Sequence, residues 1–567
     1  MLNESNKKVI SKIIGAAVVV FILVYLAITI IGPGEEAGGV PVGEPGEVPV
    51  GELLDDVIKD INVNTVPHPM GHVVVSPDLE DSLNEDLPEI SKYPPQVNNS
   101  TPIYIEILSS TEKAGSGTDG WLTEVARDFN NASITIDGKQ VSVRLRGIPS
   151  GEAADYITSG KYLPDAYTPS NELWGEMIIS KGVKAELVQE RLAGNVAGIL
   201  LTKSKKEELV NKHGAINTRT IADAVANREL AMGYTNPFAS STGLNFLVST
   251  LYTFDSSNLL SDKAKSGFES FQTNIPLVAY TTLQMRESAR SGVLDGFVLE
   301  YQTYVNTPDI RYYEFTPFGF RHDSPMYAIG ELSEEKMKIL NEFVEFSQQE
   351  KYQTLATEYG FNSFNEYQSE TGSVSGDVII QAQKLWKEKK KPICAVFVAD
   401  VSGSMMGGPL NNLKDSLLKG QYYIGDENMV GLVSYSNDVN IDLPISKFDL
   451  NQRASFAGAV SDLQAGGSTA TFDGIAVAMK MIQDQRAADP DLRPVIFVLS
   501  DGETNRGCSL NDITPIVEDL GIPIYTIGYN ANIPALQAIS SINEAASINA
   551  DTDDVVYKLR NLFNAEM

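Results

Sequence analysis

The fold class that this sequence predicts is α/β, arranged as two successive units behind one transmembrane helix, and three observations predict it. From residue 101, strand-like runs alternate with amphipathic helical stretches, as in a sheet with helical crossovers. From residue 392, four uninterrupted apolar runs recur, the pattern of parallel strands buried on both faces. Residues 13–32 carry no charge at all. A chain of 567 residues is too long for one domain at about 100–200 residues each, and its 43% hydrophobic content supplies more than one core.

Residues 1–12 carry Lys7, Lys8 and Lys12. The stretch that follows, IIGAAVVVFILVYLAITIIG at 13–32, spans the hydrocarbon core of about 30 Å at about 1.5 Å per residue. A cleaved signal peptide has a shorter apolar region, about 7–15 residues, and ends in small residues, which this stretch does not. Lysines before it and Glu35, Glu36 and Glu44 after it place the N-terminus in the cytoplasm and the rest of the chain outside, a single-pass cell-membrane topology. Residues 33–100 read as a Pro/Gly/acidic linker. PVGE recurs at 41 and 49, and Pro67, Pro69, Pro77, Pro88, Pro94 and Pro95 interrupt whatever helix LLDDVIKDI starts at residue 53. His68 and His72 have i, i+4 spacing, but Pro69 and Gly71 between them oppose the helix that would align them on a metal.

In the first α/β unit, 101–375, IYIEILSS and VSVRLRGIPS read as strands, WLTEVARDFNN and EAADYITSG as helices. Residues 376–391, GDVIIQAQKLWKEKKK, read as a connecting helix with a basic end. In the second unit, 392–567, PICAVFVAD, NMVGLVSYS, RPVIFVLSD and IPIYTIGYN are the buried strands of a doubly wound sheet.

Composition removes several function classes. With 74 acidic against 44 basic side chains the formal charge is −30, which opposes nucleic-acid binding, since phosphate contacts need clustered Lys and Arg. Two cysteines and four histidines rule out a disulfide scaffold, a Cys-rich zinc site and a His-based centre. Any metal is therefore expected to be hard and oxygen-bound. No G-x-S-x-G, H-E-x-x-H, C-x-x-C or P-loop occurs, so no enzyme is expected. Cys394 reads as core and Cys508 as an incidental thiol too far from it to pair.

Three segments of the second unit converge on one chemistry. Asp400-Val-Ser402-Gly-Ser404 follows one strand, Gly466-Gly467-Ser468-Thr469 opens a helix, and Ser500-Asp501-Gly502 follows another strand, so all lie where open α/β sheets place ligands. Hydroxyls and carboxylates there suit Mg²⁺, which takes six oxygens and keeps several waters. Residues 392–567 resemble a von Willebrand factor type A domain with a metal-ion-dependent adhesion site. The resemblance implies metal ligands at Asp400, Ser402, Ser404, Thr469 and Asp501, Mg²⁺ (or Mn²⁺ or Ca²⁺) as the ion, and an acidic protein as partner. Ser468 and Thr471 crowd the same loop as Thr469.

In the first unit, Gly115-Ser-Gly117-Thr-Asp-Gly120 matches G-x-G-x-x-G, but it lies far from the preceding strand, and the next strand has no terminal acid for a ribose. Ser/Thr/Gly clusters at strand ends, Ser109-Ser110, Ser150-Gly151, Thr168-Pro-Ser170 and Ser240-Ser241-Thr242-Gly243, instead suit an anion or a polar ligand held by hydroxyls and helix N-termini. The span of about 100–370 resembles a type II extracellular solute-binding protein in the phrases SGEAADYITSGKYLPDAYTPSNELW, MGYTNPFASSTGLNFL and SGVLDGFVLEYQTY. That resemblance implies a two-lobed, periplasmic-binding-protein-like domain, crossing strands near LAGNVAGILLT and DGFVLEYQ, and cleft residues Ser109, Ser150, Ser170, Ser241 and Tyr301. The expected function is binding of a small polar solute or surface component; the alternative is a receptor for transport or sensing.

Overall fold

The computed structural model describes residues 50–73, 87–275, 277–279, 285–286, 289, 294–390, 392–490, 492–529, 534–536, 539, 547–550, 558–559 and 562–563. The expected transmembrane stretch at 13–32 and the PVGE-containing segment up to residue 49 lie outside them. Among the described residues no helix is long and apolar enough to cross a membrane.

The first described elements correct the reading of 33–100 as linker for residues 50–73 and 87–100. In Val50–Lys59 (α1) the residues Leu53, Leu54, Val57 and Ile58 share one helical face. That face packs on two helices of the C-terminal domain, Thr471–Ala488 and Leu510–Leu520, with Leu54 wholly buried. Val63–Thr65 (β1) then adds a parallel edge strand beside Val439–Lys447, with Val63 opposite Val439. Val439 N donates to Asn62 O at 3.0 Å and Val66 N to Ile441 O at 3.0 Å. Further on, Gly71 N donates to Ala454 O, and a Cβ on Gly458 would stand 1.7 Å from Pro69 O, so only glycine admits the incoming backbone. Residues 87–100 belong to the next unit instead: Leu87 packs on Tyr156 and Val97 bridges Leu145. The C-terminal domain is thus built from two pieces of chain, and the first α/β unit is inserted between them.

The inserted unit has two lobes, each on a five-stranded sheet. Strands Tyr104–Ser109 (β2), Ser142–Gly147 (β5), Ala166–Thr168 (β6), Ala185–Gln189 (β7) and Met326–Ile329 (β13) form the first, in the order β5-β2-β6-β13-β7, with a short hairpin of Thr135–Ile136 (β3) and Lys139–Gln140 (β4) beside it in sequence. Val196–Thr202 (β8), Met232–Thr235 (β9), Leu277–Ala279 (β10), Gly296–Glu300 (β11) and Tyr313–Arg321 (β12) form the second, in the order β10-β9-β11-β8-β12. The strand and helix runs read from the sequence fall on β2, β5, the helix Trp121–Asn131 and the helix Ser150–Ser159 (α2). The chain passes between the lobes from β7 to β8 and from β12 to β13. The two passages are tied by Leu192 N to Asp323 O at 3.1 Å and His322 N to Asn195 O at 3.0 Å. The crossing expected at DGFVLEYQ is therefore corrected: β11 stays inside the second sheet, between β9 and β8.

The lobes are in contact. Trp174 of Leu173–Ser180 (α3) donates from Nε1 to Ser241 Oγ at 2.9 Å, at the start of Ser241–Phe254 (α4), and Gly151 N donates to Ala239 O at 3.1 Å. Gly376–Glu388 (α5), expected as a connecting helix, packs on both α3 and α4. Its apolar face, Ile379, Ala382, Leu385 and Trp386, is buried in the core that also holds Trp174 and Leu244, and Gln383 Nε2 reaches Pro237 O at 2.8 Å. Hydrophobic burial makes α5 part of the inserted unit; its basic end alone suggested a connector.

A Cβ on Gly151 would lie 2.1 Å from Phe238 O and 2.8 Å from Ala239 Cα. Normal contact needs roughly 3.5 Å, so Gly151→Ala is expected to move α2 from the second lobe by about 1 Å and destabilise the unit by about 1–3 kcal/mol. Small-angle scattering and urea unfolding read the two effects; an unchanged profile in both would contradict the contact.

In the C-terminal domain the sheet order is β1-β16-β15-β14-β17-β18-β19, comprising Ile393–Asp400 (β14), Met429–Tyr435 (β15), Val439–Lys447 (β16), Arg493–Ser500 (β17), Ile524–Tyr529 (β18) and Ser547–Ala550 (β19). Every residue of the central β14 is buried. Alternate side chains serve opposite cores: Phe397 with Phe497 and Phe456 on one face, Val396 and Val398 with Ile475 and Leu54 on the other. Cys394 lies in the second of these, its thiol pushed up to about 12 by burial, and Cys508 is half-buried; both are free.

Candidate functional site

The parallel pairing of β14 with β17 sets their carboxyl ends side by side, Ala399 opposite Leu499. Asp400, the last residue of β14, is fully buried. Its Oδ1 accepts from Ser402 N at 2.8 Å and its Oδ2 from Ser500 Oγ at 2.6 Å. Burial holds the Asp400 carboxyl above its ordinary range, and the bonds from Ser500 and Ser402 pull the other way. Ser402 Oγ lies 3.0 Å from Ser404 Oγ, which donates to Asp501 Oδ1 at 2.7 Å. Three of the five expected metal ligands, Ser402, Ser404 and Asp501, thus form one chain of oxygens, and Asp400 joins it through the Ser402 N–H. Thr469 is brought beside them by its loop: Gly403 N donates to Gly467 O at 3.0 Å, and Gly467 has φ +88°. Thr469 itself is buried and held through its backbone, its N–H on Asn505 Oδ1 at 3.0 Å and its carbonyl accepting from Asn505 N and Thr504 Oγ1, each at 2.9 Å. Neighbouring oxygens on an octahedral shell of radius about 2.0–2.1 Å stand about 2.9 Å apart, so the separations of 2.7 and 3.0 Å already suit a small hard cation.

The inserted unit carries a second concavity, a cavity of about 40 Å³ between the lobes. Of the expected cleft residues it gathers Ser150, Ser170 and Ser241. Two expectations are corrected. Ser109 is wholly buried at the end of β2, its hydroxyl turned to Ser110 O at 3.3 Å. Tyr301 packs in an aromatic group, its ring 5.2 Å from Phe315 and 4.8 Å from Phe364, and does not line the cavity. Sequence reasoning missed Glu112 and Glu300, both in the lining. Glu112 accepts from the hydroxyls of Ser110 and Ser170, and its carboxylate lies 3.9 Å from the buried ammonium of Lys113. Burial lowers Lys113 to about 8, against the opposing pull of Glu112 and Glu300. Glu300 accepts from His322 Nδ1 at 2.7 Å and Asn195 Nδ2 at 2.9 Å. The G-x-G-x-x-G segment serves as a contact point: Thr118 O and Asp119 Oδ1 accept from Gln302 Nε2 at 2.9 and 3.1 Å.

A doubly wound sheet with hydroxyl and carboxylate loops at its carboxyl edge has a match among known families. Residues 395–564 match the von Willebrand factor type A domain. An uncharacterised protein of Synechocystis is 26% identical over 183 residues, 31% of this chain and 42% of that protein. The chain spans less than half the length of the curated relatives it matches. Among solved structures, a von Willebrand factor type A protein from Catenulispora acidiphila shares 17% identity at a TM-score of 0.28, covering 31% of this chain and 42% of that one. Iron-bound HitA from Pseudomonas aeruginosa shares 12% identity at a TM-score of 0.37, covering 51% of this chain and 99% of that one.

The von Willebrand factor type A domain also positions its site through residues that the motif did not single out. Ser500 fixes the second oxygen of Asp400, Asn437 Oδ1 holds Ser468 N at 3.0 Å, and Asn505 fixes the backbone of Thr469. Ser500 was legible as part of the SDG string; Asn437 and Asn505 lie in loops with no periodic signal.

Proposed function

We propose that this chain is a membrane-anchored, extracytoplasmic binding protein without a catalytic role. Its von Willebrand factor type A domain holds a divalent cation, Mg²⁺ or else Mn²⁺ or Ca²⁺, with Ser402, Ser404 and Thr469 as direct ligands and Asp400 and Asp501 acting partly through water. When bound, the ion supplies a position open to a carboxylate, and an acidic protein partner fills it. The observation that carries this reading is the oxygen chain from Ser402 to Ser404 to Asp501, with its 3.0 and 2.7 Å separations at the end of a buried strand pair. The anchor is supported by the uncharged stretch at 13–32.

The two-lobed unit holds a small polar ligand in the cavity between its lobes. A transport or sensing receptor would use the same cavity. Insertion of that unit within the C-terminal domain favours a ligand whose binding is read through the von Willebrand factor type A domain over one delivered to a permease. Isothermal titration of the full chain with Mg²⁺ and Mn²⁺ tests the metal half. One saturable ion per chain is expected, and absence of saturable binding at millimolar ion removes it.

A further inference from the structure

The cavity between the lobes has a charge that the serine clusters did not announce. Two acidic residues line it, Glu112 and Glu300, and no Lys, Arg or His is among its described lining residues. Glu300 is fully buried, and its neighbour His322 is equally enclosed. The bonding around that ring fixes its proton. Nδ1 faces Glu300, while Nε2 lies 3.2 Å from Asn171 Nδ2 and 3.1 Å from Asn245 Nδ2. Asn245 cannot present its oxygen instead, because Oδ1 accepts from Phe320 N at 2.9 Å and Nδ2 donates to Phe320 O at 2.8 Å. Asn171 is oriented likewise by its donation to Ser241 O at 3.1 Å. His322 Nε2 is therefore an acceptor and the ring is neutral, which leaves the charge of Glu300 uncompensated by it.

The one ammonium nearby, Lys113, is enclosed and spends its protons on Ser110 Oγ and on Pro169 O, 3.2 Å away. One ammonium thus stands beside two acidic side chains, Glu112 and Glu300. A further carboxylate, Asp119, faces Arg286 at 4.0 Å. The positive ends of α2 and α4 also reach the cavity, through Ser150 and Ser241. Their charge is fractional, and in the first turn of α2 the N–H of Gly151 is already bound to Ala239 O.

Hydrogen-bond polarity points the same way. The Ser170 hydroxyl donates to Glu112, and Thr303 Oγ1 donates to Gln302 Oε1 at 3.2 Å, so both turn lone pairs toward the cavity. Beside Ser170, Asn171 Oδ1 is buried without a hydrogen-bond partner. A buried surplus of acceptors and negative charge calls for a donor that brings positive charge.

We propose that this cleft takes a small cation carrying hydrogen-bond donors, an ammonium ion or the ammonium end of a small amine, and excludes oxyanions, Glu112 being its counter-charge. About 40 Å³ accommodates roughly three water-sized groups, which suits such a head group. This inference rests on the reading of the two-lobed unit as a ligand-binding unit.

The test is thermal unfolding and isothermal titration of the full chain with methylammonium chloride, potassium chloride, tetramethylammonium chloride, and sulfate and phosphate as their tetramethylammonium salts. Methylammonium is expected to stabilise the wild type saturably and the others not, and Glu112→Gln is expected to weaken methylammonium at least about tenfold. Stabilisation by potassium equal to that by methylammonium overturns the requirement for a donor. Stabilisation of the wild type by sulfate or phosphate overturns the cation assignment while leaving a ligand cleft in place. No response to any of them overturns both. The comparison among ions in the wild type decides the matter even if Glu112→Gln does not fold.

Discussion

Replacing Asp400 and Ser402 together by alanine is expected to abolish the stabilisation of this chain by Mg²⁺ or Mn²⁺. A ligand at about 100 times its Kd stabilises the folded state by about 2.7 kcal/mol, which for a domain of about 150–250 residues raises Tm by roughly 5–11 °C. The double substitution removes the buried carboxylate at the head of the site and one of the hydroxyls proposed as direct ligands. It also strands Ser500 Oγ and Ser402 N, which both donate to Asp400. Loss of a buried acceptor costs about 1–3 kcal/mol on its own, so the ion-free protein melts lower as well. The two effects are separable because the prediction concerns the difference between melts with and without ion. A shift of wild-type size in the double variant would remove the metal from this site.

That the residues of the candidate metal site are legible in the sequence while the cleft chemistry is not has a physical cause. Asp400, Ser402 and Ser404 fall within five residues at the carboxyl end of an eight-residue strand whose burial on both faces makes it a nearly unbroken apolar run. Parallel pairing then brings Asp501 to their side, because the ends of neighbouring parallel strands must lie together. The cleft lacks such a rule. Glu112 follows β2, Glu300 ends β11 and His322 lies in a crossing segment, so their meeting depends on how two lobes close and not on any spacing. Of the three expected serines that reach the cavity, Ser150 and Ser241 open helices, a position the sequence marks, and Ser170 lies in a loop; Ser109 ends a strand in the sheet core and is wholly buried. The helix α5 was misplaced for a related reason. Its lysines are visible as a run, whereas its Ile379, Ala382, Leu385 and Trp386 face acquires meaning only from the two helices it covers.

Leu54→Ala is expected to destabilise the C-terminal domain by about 2–5 kcal/mol, the usual cost of emptying a fully buried leucine site, and so to lower its Tm by about 4–20 °C. If residues 50–73 were the solvated linker that their prolines suggest, the same change would stay within about 0.5 kcal/mol. The chain provides an internal control. Its three tryptophans, Trp121, Trp174 and Trp386, all lie in the inserted unit. Tryptophan fluorescence therefore follows that unit alone, while far-ultraviolet circular dichroism follows both. In Leu54→Ala the dichroism transition should broaden or split to lower temperature while the fluorescence transition stays in place. Removing residues 50–66 altogether should act more strongly. It takes away α1 and also β1, which covers the outer edge of β16, and an uncovered edge pairs with other chains. Concentration-dependent aggregation of that truncated chain, absent from Leu54→Ala, is the result expected from a strand that closes the sheet. A truncated chain that stays monomeric with an unshifted dichroism transition would return the segment to the role of a linker.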